Sequence, residues 1–239
     1  LYLPLNENWP MNHEKHFKGG YWIENAFGPE YWSEFSGAAA SFARHFSEKG
    51  WDETMFEFYL NNKVYFKNGK NGKPGSWKTT SATWIYDEPQ HTQDFWAIRR
   101  FGMEFWKATA PYANVRTAFR IDISRPEWQR DLLDGVTNVD VVAGVLREYP
   151  QRVIGRNRRD GKLTYMYGSV SKLGQPLVIN AAWCTETWAL GADGVVLTPA
   201  CGDPFYRKAI RTSMGAVLRL PFATAGRWPE DLASLRAAG

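Results

Sequence analysis

Cysteine is scarce in this chain: the 239 residues contain two, Cys184 and Cys201. Neither stands in a CxxC or metal-ligand spacing, and the four histidines (His13, His16, His45 and His91) have no such spacing either. No metal and no cofactor are therefore expected. Two cysteines neither require nor exclude an oxidising compartment. No run of about 18 apolar residues occurs, which excludes a membrane-spanning helix and makes a membrane partner unexpected. A signal peptide is absent, but the chain opens at Leu1 inside a strand-like run. Its natural start is expected to lie upstream, which leaves localisation open. There is no internal repeat.

Apolar residues make up 44% of the chain and charged residues 23%, enough for a real core and ordinary for a globular protein. The aromatic content is high, with 12 Trp, 11 Tyr and 14 Phe. Indole faces stack on the apolar faces of sugars, and they also fill large cores. Composition leaves these two open. The net charge is +4. One basic run holds Arg152, Arg156, Arg158, Arg159 and Lys162, and a second group holds Arg207, Lys208, Arg211, Arg219, Arg227 and Arg236. Such runs bind phosphate or form a solvated face. No aromatic residue interleaves the first run, so nucleic acid is not expected as a partner despite the basic C-terminal segment.

Strand-like runs are predicted at Leu1–Leu5, Met55–Leu60, Ala82–Tyr86, Val115–Ile123, Val139–Val142, Leu163–Tyr167 and Gly194–Leu197. Helices are predicted at Tyr31–Lys49, Asp94–Thr109, Glu127–Leu133 and Pro176–Ala189. The alternation predicts a parallel α/β architecture. A (β/α) barrel takes about 250 residues and eight units, and the run to residue 197 holds six or seven, with an open sheet as the alternative. The polar stretch 68–76, NGKNGKPGS, reads as a surface loop. Near residue 195 a Trp-dense style gives way to an Arg/Ala/Leu-rich one with no linker between them.

The segment Trp84-Ile85-Tyr86-Asp87-Glu88-Pro89 holds the best chemical candidates. It reads as an apolar strand running into two adjacent carboxylates, and the carboxyl ends of barrel strands form the active face. The alternative is a loop acid pair before a helix. Two carboxyls of a glycosidase stand about 5 Å apart for retention and about 6.5–9.5 Å for inversion. Adjacent residues, about 3.8 Å apart at Cα and pointing to different sides, do not readily straddle a sugar. They suit substrate assistance, in which a 2-acetamido group attacks its own anomeric carbon.

FEFYLNNKVYF, WIYDEP, DFWAI and INAAWCTETWALGADGVV together resemble the barrel of family 123 glycoside hydrolases and their uncharacterised bacterial relatives over residues 1–196. The resemblance implies a partial (β/α)8 TIM-like barrel that cleaves terminal 2-acetamido-β-hexosides with retention, a carbohydrate being the partner. It implies Glu88 as general acid/base and Asp87 as the residue orienting the acetamido group. Further substrate contacts are expected from Trp9, Asn61, His91, Arg120, Asp122, Tyr165 and Tyr167, all near predicted strand ends. Each has a structural alternative: Asn61 in a turn, Asp122 as a cap, the tyrosines in the core. A non-catalytic carbohydrate-binding protein is a further alternative.

DPFYRKAIRTSMGAV, within the last fifty residues, resembles SpoU/TrmH-type RNA 2′-O-ribose methyltransferases. That family's catalytic arginine motif and its cofactor loop have no counterpart here. An RNA methyltransferase fragment is thus the alternative function. A segment like ALGADGVV suits both families, and a joint between Leu190 and Leu197 is expected, with residues 1–196 hydrolase-like and 197–239 a short α/β methyltransferase-like segment.

Overall fold

A computed structural model describes residues 2–5, 16–19, 22–60, 84–167 and 178–193. Contacts divide the chain into two units. The first runs to Val141 and includes Asp160–Lys162, and the second takes Val142–Arg159 and the chain from Leu163 onward.

In the first unit the order is β1 (Tyr2–Leu5), α1 (Ile23–Ala26), α2 (Pro29–Glu48), β2 (Met55–Leu60), α3 (Thr92–Thr109), β3 (Arg116–Ile123) and β4 (Val139–Val142), the last residue of β4 belonging to the second unit. The four strands lie in one sheet in sequence order. β1 and β2 are parallel, with Leu3 opposite Phe58, and β2 and β3 are parallel, with Tyr59 opposite Arg120. The sheet is open. A closed barrel is not what these strands form, which corrects the TIM-like expectation while the α/β class stands.

α2 and α3 form where the apolar spacing placed them. α2 starts on Pro29, whose missing N–H costs nothing in a first turn. It ends where Gly50, at φ +66°, turns the chain out and donates its N–H to the Ser47 carbonyl at 3.0 Å. Tyr31, Phe35, Ala39, Ala43 and Phe46 recur at helical spacing and are buried. On α3 the buried stripe is Phe95, Ile98, Phe101 and Phe105. Phe35 and Phe101 meet at 5.1 Å, Phe58 and Phe105 at 4.7 Å, and Phe105 and Phe119 at 5.3 Å, so rings join both helices to the sheet. Each such ring contributes about 1.5–3 kcal/mol through burial. Gly102 lets α3 approach closely, since a Cβ there would run into the Val136 side chain and the Phe119 ring. Trp84 lies within this core, whereas Trp22, Trp51, Trp128 and Trp188 are exposed.

The second unit contains α4 (Pro150–Arg159), β5 (Leu163–Met166) and α5 (Val178–Ala189). Polar bonds tie these together. The Asn157 amide donates to Thr164 Oγ1 at 2.9 Å, the Thr164 N–H donates to Asp193 Oδ2 at 2.8 Å, and the Tyr167 N–H donates to the Val142 carbonyl at 2.9 Å.

Two expected elements differ. Residues 84–86 are not a strand, because the Ile85 N–H is taken by the Asp94 carboxylate rather than by a neighbouring strand. The helix expected at Glu127–Leu133 is a short 3-10 turn, Pro126–Trp128, followed by further turns. Arg130, at φ +51°, cannot lie in a right-handed helix. The strand expected at Gly194–Leu197 and the loop 68–76 lie outside the described residues.

Candidate functional site

The acid pair sits on a loop that a single side chain organises. Asp94, fully buried in the first turn of α3, accepts the backbone N–H of Ile85 at 3.1 Å, of Gln90 at 3.1 Å and of His91 at 2.9 Å. A carboxylate near a helix N-terminus is favoured by the helix dipole, and backbone donors give it charge-assisted bonds. The loop 85–91 is thereby curled around the start of α3. Glu88 stands at its apex with φ +62°, a left-handed backbone that a non-glycine residue adopts at a cost of roughly 1–3 kcal/mol. Its N–H donates to the Asp122 carbonyl at 2.9 Å, which fixes the apex beside β3. Asp87 and Glu88 are both half-buried.

Beside that apex lies a charged trio on β2 and β3. The Arg120 guanidinium donates to Asp122 at 2.8 and 3.2 Å and to Glu57 at 3.1 Å. Its guanidinium carbon also lies 5.0 Å from the centre of the Tyr59 ring. Burial works against the charge on Arg120, but the hydrogen bonds and charges of Asp122 and Glu57 outweigh it and raise its pKa. Two acids and one arginine therefore neutralise much of one another's charge. This holds the sheet together more than it offers a charge to a ligand.

The structure thus brings Asp87, Glu88, Arg120 and Asp122 into one neighbourhood. His91 is the residue that caps α3. Tyr165 and Tyr167 belong to the second unit, where both are half-buried at β5 and its end. Trp9 and Asn61 lie outside the described residues. The sequence reading missed Asp94 and Glu57. Their signals were an acid three residues beyond His91 at a helix start, a capping-box spacing, and a lone Glu inside the apolar run MFEFYL. Among the described residues no group of three His, Cys, Asp or Glu could hold a metal ion, and no helix is long and apolar enough to cross a membrane.

No protein-family model matches the chain, and no solved structure matches it. Fifty residues are similar to curated relatives. An uncharacterised tRNA/rRNA methyltransferase of Mycobacterium bovis, and two proteins of the same description from strains of Mycobacterium tuberculosis, are each 46% identical over 50 residues. The match covers 21% of this chain and 17% of each relative. The chain thus spans about a sixth of the length of these relatives. The expectation of a glycoside hydrolase with a carbohydrate partner, and with nucleic acid unlikely, is overturned by these matches, which carry methyltransferase names and no hydrolase one. The structure adds a physical reason: the strand meant to deliver Asp87 and Glu88 to a barrel mouth is a loop beside an open sheet.

Proposed function

We propose that this chain engages RNA through a tRNA/rRNA methyltransferase-like segment that contains DPFYRKAIRTSMGAV, and that residues 1–196 and 197–239 differ in origin. The observation that supports this reading is the 46% identity over 50 residues to proteins of that description. The chemistry agrees, since Arg207, Lys208 and Arg211 supply three cations within five positions of that motif. Cations at such spacing neutralise phosphates and release counterions. The reading assigns RNA contact to the segment, not methyl transfer, because the matched stretch is 17% of each relative.

The test is fluorescence anisotropy of a labelled tRNA titrated with the whole chain. Binding is expected at 50 mM KCl, weakening by about tenfold at 200 mM as two to three phosphate contacts are screened. Absence of binding at 50 mM KCl overturns the reading.

A further inference from the structure

The turn that leaves β3 carries a tryptophan with no place in the core. β3 ends at Ile123, and the chain then folds into the short 3-10 turn Pro126–Trp128. Pro126 is buried, and its ring fixes the backbone at the first position of the turn. The Trp128 N–H donates to the Arg125 carbonyl at 3.0 Å and closes it. Side chains three residues apart on a 3-10 turn lie one above the other. The Arg125 guanidinium carbon accordingly stands 4.8 Å from the centre of the Trp128 ring, and its Nη1 donates to Ser124 Oγ at 3.1 Å. Arg125 thus backs one face of an indole that is 47% exposed.

Other tryptophans of the first unit differ. Arg100 lies over Trp32 at the same 4.8 Å, but Arg100 is also paired with Glu104 at 2.9 Å, and Trp32 packs against Tyr31, Phe35 and Phe101. Trp22 and Trp51 are exposed, yet Trp22 meets Trp96 at 6.5 Å and Trp51 stacks on Phe46 at 5.9 Å. Packing accounts for those rings. Among the described residues Trp128 meets no other ring, and Arg125 forms no ion pair. An indole held by a closed turn and a guanidinium, with its other face toward water, is preorganised for stacking, because little side-chain freedom is left to lose on binding. Glu127 stands between Arg125 and Trp128 in the chain and is exposed, so the turn carries no net charge. That suits contact with the face of a ring rather than with a run of phosphates.

We propose that Trp128, backed by Arg125, is a stacking platform for one unpaired base of RNA. The proposal rests on the RNA reading above and gives the first unit a part in it. Every base has a π face, so the contact is independent of sequence, but it needs a base that is not held inside a duplex. The turn stands at the carboxyl end of β3 in an open sheet, the edge at which open α/β sheets take their ligands.

The experiment titrates the whole chain and its Trp128→Ala and Trp128→Phe variants into labelled tRNA and into a labelled blunt RNA duplex, between 50 and 300 mM KCl. Trp128 lies outside the core, and circular dichroism verifies the fold of each variant. Trp128→Ala is expected to bind tRNA about tenfold more weakly at 100 mM KCl, the loss of one stacked base. Its slope of log affinity against log salt stays that of the wild type, because a stacked ring releases no counterions. Trp128→Phe recovers most of the loss, and duplex binding is the same in all three chains. Equal tRNA affinity in wild type and Trp128→Ala overturns the platform and leaves the RNA reading standing. An equal loss on tRNA and duplex, or a loss that phenylalanine does not recover, overturns it as well, since either is what a general distortion would give. A wild-type chain that binds neither RNA overturns both.

Discussion

The two units handle charge in opposite ways. In the first, the charges that lie inside are matched one by one. Asp94 takes three backbone N–H groups, and Lys162, fully buried, donates to the Leu133 carbonyl and to Thr137 Oγ1 at 3.1 Å each, with Asp140 at 3.9 Å. In the second, charges lie at the surface: Arg152, Arg158 and Arg159 of α4 are exposed, and Arg147 and Glu186 are paired in the open. A buried charge must be paired or it destabilises the fold, so its partners explain it fully. A surface charge has no such requirement, because water solvates it whether or not it is paired. Charge in the first unit is therefore architecture. In the second it is screened by water and contributes little to the fold.

The largest expected effects come from breaking the buried arrangements. Asp94→Ala leaves the N–H groups of Ile85, Gln90 and His91 without their acceptor and releases the loop that holds Asp87 and Glu88. A loss of about 3–5 kcal/mol is expected in urea denaturation. Asp94→Asn, which keeps one acceptor oxygen, should lose less. A destabilisation below 1 kcal/mol for Asp94→Ala would show that water replaces the carboxylate and that the loop is not organised by it.

Lys162→Met tests the same side of the comparison at a second place. The substitution leaves Asp140 buried without its cation, although Thr137 still donates to it at 2.9 Å. A cost of about 3 kcal/mol is expected. The double variant Lys162→Met, Asp140→Leu should recover part of it, because an apolar pair needs no partner. If the double variant is as unstable as the sum of the single ones, the two residues are not coupled.

Legibility in the sequence followed the same division between periodic pattern and individual bonds. β2 and β4 were readable to the residue, and α2 and α3 to within two residues at each end, because a buried strand or helix face repeats its apolar residues. α4 was legible as a run of cations and not as a helix, since Val153 and Ile154 are adjacent and give no period. The segment Trp84–Tyr86 reads as a strand by composition. It is a buried loop because Asp94, ten residues after Trp84, supplies the acceptor that another strand would have supplied. Of the expected site, the positions of Asp87 and Glu88 at a junction were visible. The left-handed backbone of Glu88 and the neutralising trio of Glu57, Arg120 and Asp122 depend on strand register, which local sequence does not encode. Open sheet and barrel stood as alternatives, since closure is decided by pairing between distant strands.

The smallest effect lies in the second unit, at the pair that most resembles the buried ones on paper. Arg147 and Glu186 are joined by a two-pronged ion pair, one prong at 2.6 Å, yet their side chains are 41% and 38% exposed. The hydrogen bond from Arg147 is the main cause that lowers the Glu186 pKa, opposed by burial. A carboxylate whose pKa falls on folding stabilises the folded chain above its unfolded value near 4.5, and loses that contribution as pH drops through the lower folded value. Water screens an exposed pair, so the contribution is about 0.5 kcal/mol. Arg147→Ala should therefore lower stability at pH 7 by about that amount. Wild type and variant should converge as the pH is lowered below 4, and high salt should also narrow the gap. A gap of several kcal/mol at neutral pH would mean that this pair is as sheltered as Lys162 and Asp140, and would erase the contrast between the two units.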